Sequence, residues 1–287
     1  MADALTKVVL GRTGMEVTRL GYGAMALSDT ADDVSEKALN AVLDAGINFV
    51  DTSNDYGHSE EMIGKYISRR RSEYFLATKC GCPAGGGEHV WTRENLFRGL
   101  HESLKRLKTD YVDIMQLHNA KVEDVDQGGL VDALEEMREQ GTVRWIGASA
   151  VLPSITTFVE RGAFDEYQIP YSAMDRVHEG VIGDAARSGV GTVIRGGVQQ
   201  GEPGPGSRGR AEQWEPFDAA VLDDLRDAGE SRTAFLLRYT LTHADLHTTI
   251  VGTKSLDHLR ENLDAANRGP LPADTYAEAK RRLEAAG

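Results

Sequence analysis

Four titratable side chains lie at or just beyond the ends of short apolar runs. Asp51 follows INFV, Tyr56 comes five residues later, Lys79 ends YFLATK, and His118 ends YVDIMQLH. A phenol beside a buried ammonium has its ionised form favoured, so we expect the pKa of Tyr56 to fall toward neutrality. Tyr56 could then donate a proton to a developing alkoxide.

The other three residues fit the same chemistry. Asp51 would hold Lys79 in place and keep it charged, because a buried ammonium requires a partner. A neutral His118 imidazole could orient or polarise a carbonyl oxygen. None of the four supplies a hydride, so a reduction would require a nicotinamide cofactor.

Each residue taken singly also has a plainer explanation. Asp51 could cap the turn DTSND, Tyr56 could pack its ring at a rim, and Lys79 could extend outward to water. A lone histidine after a strand, such as His118, is more often a satisfied core residue than a catalyst. The four together, after three successive runs, weaken these explanations.

Eight short apolar runs alternate with amphipathic helical patterns along the chain. The runs cover residues 20–25, 47–51, 74–79, 111–118, 143–149, 166–171, 191–196 and 247–253. Helical patterns cover 32–46, 92–108, 129–141, 153–161, 180–188, 231–243 and 256–265. Eight strands, each followed by a helix, predict a closed (β/α)8 TIM barrel, whose strand ends converge on one mouth.

The alternative is an open, doubly wound sheet, and the glycine pattern disfavours it. GYGAMA after the first run lacks the third glycine of the dinucleotide fingerprint, and the chain contains no P-loop. The segments KVVL, GRTG and MEVTRLG predict an N-terminal β-hairpin that caps the bottom of the barrel.

The whole chain, 1–287, is predicted to be one barrel domain, because no linker divides it. Gly/Pro-rich segments within 82–91 and 196–213 each follow a strand, so we interpret them as loops over one face. These loops would select the substrate. Trp91 is a candidate to line the pocket, although an aromatic that anchors the loop is an equal alternative.

The composition narrows the functional class. The chain has 32 Lys and Arg against 45 Asp and Glu, a net charge of -13. Such an acidic chain is a poor candidate for binding nucleic acid or an anionic membrane. No signal-peptide core or bilayer-length apolar run is present, which predicts a soluble, cytoplasmic protein. The sequence leaves monomer and oligomer equally open.

The two cysteines of the chain predict neither a disulfide nor a metal site. Cys80 and Cys82 are separated by one residue, which makes a disulfide between them geometrically awkward. No histidine lies at a zinc-motif spacing from them, so we expect no metal.

The segment GTKSLDHLRENL after the eighth run could bind a phosphate. Gly252 permits close backbone approach, Ser255 is a candidate N-cap, and Lys254 adds a point charge suited to phosphate. The plainer alternative is an ordinary turn with a solvated lysine.

The chain as a whole resembles the aldo-keto reductase family. The resemblance is carried by GRTGMEVTRLGYGAM, FVDTSNDYGHSE, LATK, YVDIMQLHN, IGAS, QIPYS and VGTKSLDHLRENL. It implies the (β/α)8 fold, an NAD(P)H cofactor, and reduction of aldehydes or ketones or the reverse oxidation. It also implies a catalytic tetrad of Asp51, Tyr56, Lys79 and His118, with Tyr56 as general acid.

The resemblance implies the cofactor contacts as well. Ser149 and Gln168 would bind the carboxamide, Arg195 would lie against the nicotinamide face, and Lys254 and Ser255 would bind the adenosine phosphate. The remaining implied cofactor contacts are Gly23, Gly252, Thr253, Glu261 and Asn262. Tyr22 would border cofactor and substrate. Lys254 and Arg260 favour NADP(H) over NAD(H).

Three departures from the family pattern stand out. Ser149 is followed by Ala150 where the family usually has asparagine, so carboxamide geometry would depend more on Gln168. Arg195 replaces the aromatic ring that many members stack on the nicotinamide. The long C-terminal loop of several branches is short or absent, which gives the loop at 196–213 more of the substrate selection.

Three other functions stay open. The chain could be a cofactor-binding regulatory subunit with little turnover, which Ala150 and Arg195 would suit. It could be a sugar or alcohol dehydrogenase that works in the oxidative direction. It could also be a barrel that uses acid–base chemistry without a nicotinamide.

Overall fold

The structure, a computed structural model, describes residues 4–83, 87–204 and 207–287. Parts of both Gly/Pro-rich loops, residues 84–86 and 205–206, lie outside the described residues. Within the described ranges, eight parallel strands close a barrel in the order β10-β3-β4-β5-β6-β7-β8-β9. These strands are β3 (Leu20–Gly23), β4 (Phe49–Asp51), β5 (Phe75–Cys80), β6 (Val112–His118), β7 (Val143–Ser149), β8 (Glu166–Pro170), β9 (Gly191–Arg195) and β10 (Thr248–Val251). The predicted (β/α)8 barrel is confirmed.

Helices follow the strands and cover the outside of the barrel. They are α1 (Asp32–Asp44), α2 (Ser59–Tyr66), α3 (Arg93–Leu107), α4 (Val122–Gly128), α5 (Leu130–Glu139), α6 (Ser154–Arg161), α7 (Glu179–Arg187), α8 (Ala211–Ala219), α9 (Arg232–Thr242), α10 (Leu256–Arg268) and α11 (Ala273–Ala286). Among the described helices, none combines the length and the apolar character that a membrane crossing requires.

Local signals explain where these helices begin and which face they bury. The Thr92 side chain accepts a hydrogen bond from Asn95 N at the start of α3, and Ser231 caps α9 in the same way. In α5, the buried residues Leu130, Ala133, Leu134 and Met137 follow the helical period.

The N-terminal hairpin closes the bottom of the barrel. Its antiparallel strands are β1 (Lys7–Val9) and β2 (Glu16–Thr18), and β2 is shorter than predicted because Leu20 already belongs to β3. Backbone and side-chain bonds tie the hairpin down: Arg12 N donates to Gly189 O at 2.7 Å, and Arg12 Nη2 donates to Phe164 O at 3.1 Å.

The hairpin also carries an apolar plug into the barrel. The plug residues share a cluster of buried side chains, namely Leu10, Met15 and Val17 from the hairpin with Phe49, Ala77, Ile114 and Val193 from the strands. Since side chains alternate across a strand, the residue two positions after each strand member faces the same interior. The residues two positions beyond the plug on each strand therefore line the barrel interior on the side of the mouth.

Candidate active site

A buried ion pair lies at the centre of the mouth. Lys79 Nζ donates to Asp51 Oδ2 at 2.6 Å and to Thr52 O at 2.8 Å, and the two charged side chains are 0% and 2% exposed. Burial alone would lower the pKa of Lys79, but the charge of Asp51, together with the neighbouring Tyr56, more than offsets it, and its pKa is raised. Lys79 therefore stays an ammonium.

Asp51 is held on its second oxygen by two glutamines. Oδ1 accepts from Gln168 Nε2 at 2.8 Å and from Gln116 Nε2 at 3.3 Å. Ser149 Oγ in turn donates to Gln168 Oε1 at 3.1 Å. Of the two residues expected to bind a carboxamide, Gln168 is therefore linked directly to the buried ion pair and Ser149 is linked to it through Gln168. Gln116 was not among the predicted site residues, although it lies two residues before His118.

Tyr56 lies beside this pair, in the loop after β4. Lys79 Nζ is 5.0 Å from the centroid of its ring, and the His118 ring is 6.0 Å away, edge to face. The expected fall of the Tyr56 pKa is wrong for this structure. Burial raises the pKa of the phenol, and the attraction of Lys79 offsets burial only in part. Tyr56 is therefore a protonated phenol in this structure.

His118 ends β6 and is the neutral imidazole that the sequence predicted. Burial, reinforced by the positive charge of Lys79, lowers the pKa of His118 to about 3. Its Nδ1 lies 3.1 Å from Cys82 Sγ and 3.6 Å from Asp55 Oδ2. The ring can therefore donate or accept a hydrogen bond at the mouth without carrying a charge.

Arg195 ends β9 and has no charged partner within 4.0 Å among the described residues. Burial lowers the pKa of its guanidinium, and Tyr56, Asp175 and Asp51 oppose that effect. Its buried Nε makes no hydrogen bond to any described group. A flat cation with a free donor at the mouth fits a planar or anionic ligand group.

The segment after β10 forms a tight turn into α10. Thr253 Oγ1 accepts from Ser255 N at 3.0 Å, and Ser255 Oγ caps the helix by accepting from His258 N at 3.3 Å. Lys254 is exposed and forms no ion pair with a described residue. Arg260, in contrast, is paired with Asp257 at 2.8 Å.

Two later residues of α10 were also expected to contact a cofactor. Glu261 is half-buried and Asn262 is buried on this helix. Both lie within the first two turns of α10, which begins directly after the segment that carries Lys254.

Gly23 and Gly252 bring two strand ends into close contact. A Cβ on Gly252 would lie 2.5 Å from Gly23 O, so a side chain is excluded there. This glycine pair leaves a flat backbone surface at the mouth.

Tyr22 does not reach the mouth, contrary to expectation. It faces outward from β3 between the inward-facing Gly21 and Gly23, and it is buried under the helices. Its OH donates to Thr253 O at 2.7 Å, which ties β3 to the segment after β10. Tyr22 therefore positions the turn, and its side chain is buried.

Trp91 packs inside its own loop. Its ring stacks on His89 with centroids 5.1 Å apart, and a Cβ on Gly81 would lie 2.1 Å from it. His89 Nε2 is 2.9 Å from Cys82 Sγ. Folding brings His89 and His118 to Cys82, a proximity that spacing along the chain does not reveal.

A carboxyl group that the sequence did not reveal lies deeper in the barrel. Glu166 is fully buried in β8, and neither of its oxygens has a partner among the described residues. Burial, followed by the charge of Asp51, raises the pKa of Glu166 well above its usual value. A Cβ on Gly147 would lie 2.3 Å from Glu166 Oε2, so the small residue makes room for it.

Comparisons with known proteins agree with this geometry. A family model described as "Aldo/keto reductase family" matches residues 19–284. The uncharacterized oxidoreductase YqkF of Bacillus subtilis is 29% identical, with 92% of this chain and 92% of that protein covered. L-galactose dehydrogenase of Arabidopsis thaliana is 30% identical, with 98% and 96% covered. The holo form of aldo-keto reductase AKR11C1 from Bacillus halodurans superposes with a TM-score of 0.84 at 27% identity, covering 99% and 96%.

The chain belongs to the aldo/keto reductase family. It is an oxidoreductase that works with a nicotinamide cofactor and acts on small carbonyl compounds or the corresponding alcohols.

Proposed function

We propose that the chain, as one barrel domain over 1–287, reduces aldehydes or ketones with NADP(H) as the preferred cofactor and Tyr56 as general acid. The observation that carries the proposal is the buried Lys79–Asp51 pair, 2.6 Å between Nζ and Oδ2, beside a protonated Tyr56 and a neutral His118. The four residues form one constellation at the carboxyl ends of adjacent strands, where barrels carry out their chemistry.

The roles of the four residues follow from their protonation states. The His118 imidazole donates a hydrogen bond to the carbonyl oxygen, and Tyr56 gives it a proton as negative charge develops. Lys79 stabilises the tyrosinate that remains, because an ammonium beside a phenol favours the ionised form. Asp51 positions Lys79. The nicotinamide cofactor, when bound, supplies the hydride.

Several residues of the mouth fit that cofactor. The side-chain-free surface at Gly23 and Gly252 admits a flat group, and Ser149 and Gln168 offer amide and hydroxyl partners for a carboxamide. Arg195, whose Nε is unpartnered among the described residues, would stack on the nicotinamide face. Trp91 would border the substrate through the loop at 82–91.

The phosphate contacts would come from the turn after β10. Thr253, Lys254 and Ser255 lie at the N-terminus of α10, where backbone N–H groups and the helix dipole attract anions. Glu261 and Asn262 would lie beside the adenosine. The exposed Lys254, without an ion-pair partner in the described ranges, supports a preference for the extra phosphate of NADP(H).

The first test compares turnover in wild type, Tyr56→Phe and the control Tyr111→Phe. Tyr111 lies just before β6, at the far end of the barrel. With NADPH and a panel of aldehydes, nicotinamide absorbance should fall in wild type and in Tyr111→Phe. Tyr56→Phe should lose about 100-fold or more in kcat while its cofactor Kd, from Trp fluorescence quenching, is unchanged. Equal turnover in all three would remove Tyr56 from the mechanism, and tight binding without turnover in wild type would favour the regulatory subunit.

Cofactor choice has its own test. Lys254→Ala should raise the Kd for NADPH about tenfold and leave the Kd for NADH nearly unchanged, because only NADPH carries the extra phosphate. Lys37→Ala, on the exposed side of α1, serves as the control. A wild type that binds NADH more tightly than NADPH would refute the preference.

One comparison favours a second candidate, oxidation of a sugar-like alcohol. L-galactose dehydrogenase of Arabidopsis thaliana is 30% identical and aligns over 98% of this chain. The same residues would then act in reverse, with Tyr56 as the base. Turnover of a sugar with NAD+ or NADP+, in the absence of aldehyde reduction at equal concentrations, would select this candidate.

A further inference from the structure

A cluster of metal-ligating side chains lies next to the reduction site. Cys82 Sγ is 3.1 Å from His118 Nδ1 and 2.9 Å from His89 Nε2. The three candidate ligand atoms all lie within 4.8 Å of one another. Cys82 is buried, His118 is half-buried and His89 is exposed, so an ion could enter from the His89 side.

These separations suit a tetrahedral ion. Zn–N bonds of about 2.0–2.1 Å and a Zn–S bond of about 2.3 Å require ligand atoms about 3.3–3.8 Å apart in a tetrahedral site. The hydrogen-bonded pairs at 2.9 and 3.1 Å would open by about half an ångström.

A carboxylate lies beside His118, outside the group of three. Asp55 Oδ2 lies 3.6 Å from His118 Nδ1. The other oxygen, Oδ1, is buried and accepts no hydrogen bond from a described residue. A thiolate and two imidazoles are ligands that zinc and similar transition metals prefer, and a solvent molecule can take the fourth position.

The loop that carries His89 is held in shape by its own contacts. Val90 N donates to Gly81 O at 2.8 Å, and Asn95 Nδ2 donates to Val90 O at 2.8 Å. Asn54 Nδ2 fixes Cys82 by donating to its carbonyl at 2.7 Å. Trp91 stacks against His89 from the other side. Much of the ordering that a metal site requires is therefore already in place.

We propose that Cys82, His89 and His118 bind one divalent transition-metal ion of the zinc class, with a solvent molecule as the fourth ligand. On binding, the Cys82 thiol releases its proton to solvent and its sulfur forms the bond to the metal. The metal takes Nδ1 of His118, so the ring proton resides on Nε2. The ion would thus fix the tautomer of a residue that the proposed reduction also uses, although its binding does not depend on that reduction.

The test uses Co²⁺ as a spectroscopic probe on chelator-treated full-length protein. Wild type should bind about one Co²⁺ per chain and show a near-ultraviolet thiolate-to-cobalt band with visible bands of a tetrahedral site, both removed by Zn²⁺. Cys80→Ser is the matched control, because Cys80 is buried on β5 and lies outside the cluster. It should behave as wild type.

The cluster variants decide the outcome. Cys82→Ser should lose the thiolate band and at least about tenfold in Co²⁺ affinity, since even outer-shell changes cost that much. His89→Ala should weaken binding similarly, and His101→Ala, on the exposed face of α3, should not. Circular dichroism establishes that each variant is folded. Absence of the band in wild type, or equal affinity in wild type and Cys82→Ser, would overturn the proposal.

Discussion

The two ends of the barrel interior are built from the same strands and have opposite chemistry. At the hairpin end, four strands contribute apolar side chains, namely Phe49, Ala77, Ile114 and Val193. Two residues farther along each of these strands stand polar ones, namely Asp51, Lys79, Gln116 and Arg195. A rise of about 6.6 Å along each strand thus separates the apolar side chains from the polar ones.

Stability and chemistry reside at different ends of the barrel interior. The hairpin end removes apolar surface from water and stabilises the fold. The mouth removes an ammonium and a carboxylate from water, which costs stability unless each has a partner. Substitutions at the hairpin end should therefore change stability and leave turnover intact, and substitutions at the mouth should do the reverse or change both.

The largest expected effect is at the mouth. Lys79→Met should abolish turnover and lower the free energy of unfolding by about 3–5 kcal/mol, because it leaves Asp51 buried without its ammonium. Urea unfolding followed by Trp fluorescence measures the stability. Adding Asp51→Asn should restore much of the stability and none of the turnover. Additive losses in the double variant would show that the two residues are not energetically paired.

The next effect is at the hairpin end. Leu10→Ala should cost about 3 kcal/mol, because Leu10 is fully buried against Gly191 and leaves a cavity. Its kcat/KM should stay within about twofold of wild type, since the mouth is untouched. The exposed neighbour Val9, changed to alanine, is the control. A large loss of turnover in folded Leu10→Ala would break the separation of the two ends.

A third effect concerns Glu166, which lies between the two ends. Burial raises its pKa, so the folded chain keeps a proton that the unfolded chain loses above about pH 4.3. Stability should therefore fall as pH rises above that value, by up to about 1.4 kcal/mol per pH unit.

Glu166→Gln should remove this slope, as measured by urea unfolding across the acidic-to-neutral range. The exposed Glu36, changed to glutamine, is the control and should keep the wild-type slope. Parallel pH dependences for wild type and Glu166→Gln would mean that Glu166 is ionised in the fold.

The smallest expected effect is on turnover, whose kcat/KM should stay constant with pH around the usual pKa of histidine. With its pKa lowered to about 3, His118 is neutral at every working pH, so kcat/KM should show no inflection near pH 6.5. In the unfolded chain the imidazole takes up a proton below about pH 6.5, so the folded state should lose stability as pH falls through that value. A rate that halves near pH 6.5 would place a charged His118 at the mouth.

Local patterns sufficed for the strands and for the constellation at their ends. Apolar runs bounded by turns predicted all eight barrel strands, and the parallel arrangement then brought Asp51, Lys79 and His118 to one mouth. The strand boundaries moved by a few residues: β5 continues past Lys79 to Cys80, and β3 stops at Gly23.

Depth and facing direction were harder to predict from the sequence. The family resemblance implied that Tyr22 borders cofactor and substrate, but neighbouring residues of a strand face opposite sides of the sheet, and Tyr22 faces outward. The pKa of Tyr56 was predicted from its neighbour Lys79 without the larger effect of burial. Glu166 and the Cys82–His89–His118 cluster depend on contacts between distant segments, which no local spacing reveals.

The hairpin at the bottom of the barrel has a consequence for synthesis. It emerges early from the ribosome, yet its contact from Arg12 Nη2 to Phe164 O joins residues 152 positions apart. The cover of its apolar residues Leu10, Met15 and Val17 stays incomplete until Val193 of β9 has been made. A growing chain therefore carries this surface partly exposed until β9 has been made, while aggregation and chaperone capture compete with folding.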